Sequence, residues 1–123
     1  MWTEGYKVVR KEEGKLYSCW AGGDFIDPAS NKLQSHPGKK IEYKIGKIIL
    51  APPNGGLLAV FADRSAAVLF SRSINPTVYG LQVYHCLYFA EKGDLRYGEY
   101  GLMYESLPYQ SRTASKVVLL DSR

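Results

Sequence analysis

A chain of 123 residues, 46% apolar and 23% charged, has the size and mix of one folded domain spanning residues 1 to 123, which excludes wholesale disorder and a fibrous repeat. The net charge of +4 tilts weakly toward anionic partners. Its lysines and arginines are interleaved with Glu12, Glu13 and Glu42, however, so no phosphate-tracking stripe is visible. No apolar run reaches the ~18 to 20 residues needed to cross a bilayer, and MWTEGYKVVR lacks the order of a secretory leader, so a cytoplasmic protein without membrane association is expected.

YKVVRK, residues 6 to 11, and KLYSCWA, residues 15 to 21, flank the short turn EEG and read as a β-hairpin. Alternation puts Tyr6, Val8 and Arg10 on one face and Lys7, Val9 and Lys11 on the other, which predicts a hairpin half-buried at best. Residues 22 to 40 are rich in turn formers and read as a loop. IEYKIGKIIL, residues 41 to 50, reads as one strand with a bulge at Gly46, because glycine tolerates the backbone that a bulge requires. LLAVF, residues 57 to 61, is short, continuous and apolar, as suits a central strand buried on both faces.

Asp63 is placed to cap a helix over about residues 64 to 72, with Ala66, Leu69 and Phe70 on its buried face and Asn75 and Pro76 beyond its end. LQVYHCLYFAE, residues 81 to 91, is the longest strand candidate, with Leu81, Val83, His85, Leu87 and Phe89 along one side. KVVLLD, residues 116 to 121, closes the chain. The predicted fold class is therefore α+β: a small antiparallel-dominated sheet of about six strands with one short helix packed on it.

The candidate chemistry is sparse. Only His36 and His85 are present, and Cys19 and Cys86 stand far apart in apolar runs, so neither a metal nor any other cofactor is expected and both thiols are expected to be reduced. His85, between Val83 and Leu87, reads as a core histidine with one hydrogen bond. The strand-to-helix junction VFADRSAA could offer free amides to an anion beside Arg64, unless Asp63 already caps them. RYGEYGLMYESLPYQ, residues 96 to 110, is tyrosine-rich, and long segments of this kind pack on their own sheet or on a partner. Tyr97 and Tyr100, beside Gly98 and Gly101, are assigned to contact with a ligand or subunit, and Tyr104 and Tyr109 to the core.

The order GYKVVR, GKLYS, EYKIGK, LLAVF, DRSAAVLF and VYHC, over about residues 5 to 90, resembles a template found in small proteins and domains of phages and bacteria. That resemblance implies a small α+β fold and no established activity. The outline is also faintly similar to the ADP-ribosyltransferase group, but no ExE pair stands near the last strands.

The functional expectation is a non-enzymatic binding or assembly module, of the phage-encoded accessory kind, with Arg64, Tyr97 and Tyr100 as contact residues. Its partner would be an anionic or nucleotide-like small molecule, another protein, or further copies of itself. The alternatives are an enzyme resembling a degenerate ADP-ribosyltransferase, with Glu99 or Glu105 as acid or base, and a weak nucleic-acid binder using Lys7, Lys44 and Tyr43 on one face.

Overall fold

In a computed structural model of the chain, the described residues are 1–18, 24–26, 33–35, 41–51, 57–73, 81–92 and 110–122. The elements in chain order are β1 (Trp2–Glu12), β2 (Lys15–Tyr17), β3 (Asp24–Ile26), β4 (Leu33–Ser35), β5 (Glu42–Tyr43), β6 (Ile48–Leu50), β7 (Leu58–Phe61), α1 (Arg64–Ser73), β8 (Leu81–Ala90) and β9 (Ser111–Ser122). All strand pairs among them are antiparallel.

The predicted α+β class does not hold. β1 pairs with β8, β8 with β9, β9 with β7, and β7 returns to β1 through Tyr6 opposite Phe61. The result is a mainly β molecule built on a closed four-strand barrel, with extra strands that continue its sheet and one short helix on its outside. Alternation along a strand reports which residues share a face, and says nothing about whether the sheet curls onto itself. Here β1 and β9 are long enough to serve two neighbours on one edge. β1 gives that edge to β7 and, further along, to β2; β9 gives it to β7 and then to β6.

The barrel interior is filled by Val9, Leu16, Tyr43, Leu58, Val60, Tyr84, Cys86, Tyr88, Ala114, Val117 and Leu119. A second cluster lies outside the barrel wall, where α1 sets Ala66 and Ala67 against Val8, Ala59 and Phe61. β7 therefore faces apolar neighbours on both sides, and all four of its residues are buried, as its unbroken apolar run predicts.

The β1–β2 hairpin closes on Glu13 and Gly14, whose φ angles of 52° and 80° are both positive, the requirement of a two-residue type I′ turn. It is not half-buried: Lys7, Val8 and Val9 are fully buried because the interior lies on one side of β1 and α1 on the other. The predicted bulge at Gly46 is instead a turn. Lys47 N–H donates to Lys44 O over 3.1 Å, Gly46 takes a φ of 80°, and the two halves of the run pair with different strands, β5 with β2 and β6 with β9. Within the expected loop 22–40, β3 and β4 form a separate two-stranded pair. On α1 the buried face is Ala66, Ala67 and Phe70, whereas Leu69 is 62% exposed.

Candidate functional site

β8 carries apolar side chains on both faces. Tyr84, Cys86 and Tyr88 point into the barrel, which leaves Leu81, Val83, His85, Leu87 and Phe89 on its outer side. The helix covers one end of that outer face, where Leu81 and Val83 join Tyr6, Val8 and Phe70. At the other end the register builds two rows across four strands. Trp2 lies opposite Phe89, Phe89 opposite Lys116, and Lys116 opposite Leu50. Glu4, Leu87, Val118 and Ile48 form the adjacent row in the same way.

Directly opposed residues in a sheet share a face and touch their neighbours. Trp2 meets Phe89 edge to face, with ring centroids 5.8 Å apart, and Lys116 Nζ lies 4.9 Å from the Phe89 centroid. Ile48 and Leu50 are 52% and 63% exposed, and Trp2 39%. Leu87, Phe89 and Val118 are half-buried. Six apolar side chains thus share one sheet face and are only partly shielded from water, unlike the singly exposed apolar residues usual on protein surfaces.

His85 sits where the covered and uncovered halves meet. It is not a core histidine: its imidazole lies outside the barrel between the Glu4 carboxylate, 3.7 Å from Nε2, and the Asp121 carboxylate, 3.9 Å from Nδ1, with the Tyr6 ring 5.5 Å away. The histidine and Glu4 give the apolar rows a polar border.

Asp63 is the cap of α1. Its Oδ1 accepts from Ala66 N–H at 2.8 Å and from the Ser65 hydroxyl at 2.9 Å, and these bonds, the first above all, hold its carboxyl below the usual value. Arg64 is exposed at the head of the same helix, next to a carboxylate that already accepts from one of its first amides, that of Ala66. Tyr97 and Tyr100, like Tyr104, Tyr109, Glu99, Glu105, His36 and Cys19, lie outside the described residues. Cys86 is fully buried in the barrel interior.

Lys7 and Tyr43 do not share an outer face with Lys44. Both are buried in the barrel, where Lys7 Nζ donates to Ala59 O at 2.6 Å and lies 5.6 Å from the Tyr43 ring centroid. Lys44 lines an open cavity of about 460 Å³ with Lys15, Glu42, Ile45 and an edge of the otherwise buried Tyr43. Among the described residues no group of three or more histidine, cysteine or carboxylate side chains is gathered to hold a metal ion, and no helix is long and apolar enough to cross a membrane.

No protein-family model, curated protein or solved structure matches this chain. Sequence reasoning passed over Trp2, Ile48, Leu50 and Val118 because it credited apolar strand residues to a core. The signal was present in VVLL and in LQVYHCLYF, both apolar on each face. A barrel strand needs one apolar face for the interior, so a second one calls for a cover.

Proposed function

We propose that the chain is a non-enzymatic binding or assembly module, and that its contact surface for protein is the outer face of β6, β9, β8 and β1. One observation carries this reading: the apolar outer side of the sheet continues past the edge of α1 into Trp2, Leu87, Phe89 and Val118 and ends in the exposed Ile48 and Leu50. The barrel interior has its own complete set of apolar side chains, so these residues are not needed to fill it. The face holds an aromatic pair, a lysine set within the row between Phe89 and Leu50, and a polar border of Glu4 and His85, a mix of apolar and polar groups that fits a protein contact.

The test places a photo-crosslinking amino acid at position 50 or, as a control, at position 69 on the exposed side of α1, where the native leucines are 63% and 62% exposed. In cells producing the protein, position 50 should yield a discrete protein adduct that Leu87→Lys abolishes, and position 69 should not. No adduct at position 50, or equal adducts at both positions, contradicts the reading.

A further inference from the structure

We infer, resting on the contact face proposed above, that its occupant is a second copy of this chain, joined by antiparallel pairing of β6 with its twin about a two-fold axis through Ile49. The first ground is the direction of the peptide groups. Ala51 N–H donates to Ser115 O at 2.9 Å, and in an antiparallel ladder the bonding residues alternate, so Ile49 also turns its N–H and C=O toward β9. The peptide groups of Ile48 and Leu50 then point away from β9. Among the described residues β6 is the last strand on that side of the sheet, so those groups face its outer edge.

The second ground is self-complementarity. A two-fold contact needs a surface that fits itself, with each residue meeting the counterpart of its own partner. Rotation about Ile49 sets Ile48 opposite Leu50 of the second copy and Leu50 opposite its Ile48, two apolar pairs. Lys47 falls opposite Ala51, so no like charges are opposed across the axis. Pairing also joins the two apolar rows end to end, Leu50 of one copy continuing into Ile48 and Val118 of the other.

The third ground is the contrast between the two ends of the strand order. Natural edge strands are guarded by charge, proline or a bulge against pairing with other chains. β5, at one end, carries a charge within the strand, Glu42. β6, at the other, is Ile-Ile-Leu with two of its three side chains exposed. Its flanking Lys47 and Pro52 lie outside the strand itself, and an edge strand with no charge of its own and an apolar exposed face fits one that is paired in the working protein.

Sedimentation of the purified chain over a wide concentration series tests this, together with disulfide trapping in which an Ile48→Cys chain is mixed with a Leu50→Cys chain. The expected result is a dimer whose dissociation constant rises about tenfold or more in Ile48→Lys and is unchanged in Leu69→Lys. The trapping should give a mixed disulfide in preference to either homodimer, a readout that needs no destabilising substitution. A chain that stays monomeric throughout, or a dimer indifferent to Ile48→Lys with no mixed disulfide, overturns the inference. If the chain is monomeric while position 50 crosslinks to a different protein, the second copy is excluded and the contact face stands; if position 50 gives no adduct at all, both fail.

Discussion

Gly5 shows how one residue permits the closure. It lies opposite Cys86 where β1 passes beside the Tyr88 ring, and a Cβ there would stand 2.7 Å from Tyr88 Cε1 and 2.8 Å from the backbone oxygen of Phe61. The ring has some freedom to shift, but the carbonyl belongs to the closing strand β7 and has little. Gly5→Ala is therefore expected to cost on the order of 1 to 3 kcal/mol, the usual penalty of overpacking, measured by urea unfolding. Asp63 offers a test through pH. Its folded carboxyl lies below the ordinary value of 3.8, so its contribution is fully present above that value and is lost as pH falls through the folded one. The stability gap between wild type and Asp63→Ala should be constant near neutrality and close in strong acid; a gap that persists there would contradict the cap.

Elements were legible in the sequence to different degrees, for physical reasons that can be named. The helix and its cap were readable because Asp63 and the end at Ser73 are local features. Its buried face was misjudged, since Ala67 outranks Leu69: two small residues let α1 approach the barrel closely, and the larger leucine faces water. Ala67→Leu is accordingly expected to destabilise by about 1 to 3 kcal/mol, and Leu69→Ala by less than about 0.5 kcal/mol, both from denaturant midpoints. Equal effects would show that the helix packs on its other side. The run 41–50 was read as one strand because turn and bulge share a glycine signature, and only the partners separate them: Tyr43 sits opposite Leu16 and Ile48 opposite Val118.

At the scale of the whole molecule, pairing was the part the sequence did not disclose. β1 and β8 are joined over nine residue pairs from Trp2 opposite Phe89 to Arg10 opposite Leu81, a partnership between strands far apart in the chain. Nothing in either segment names the other. The proposed contact face was hidden for the same reason: Trp2, Leu50, Phe89 and Lys116 come from four strands and form a row only once the register is set. The fold also assigns different fates to neighbouring amides of β6, and this offers the most direct test of the assembly reading. Hydrogen exchange of the native protein should be followed residue by residue at low and at high concentration. Ile49, bonded to β9 in either state, should be protected equally at both, while Ile48 and Leu50 should gain protection as concentration rises. Unchanged exchange at Ile48 and Leu50 across the series would contradict it.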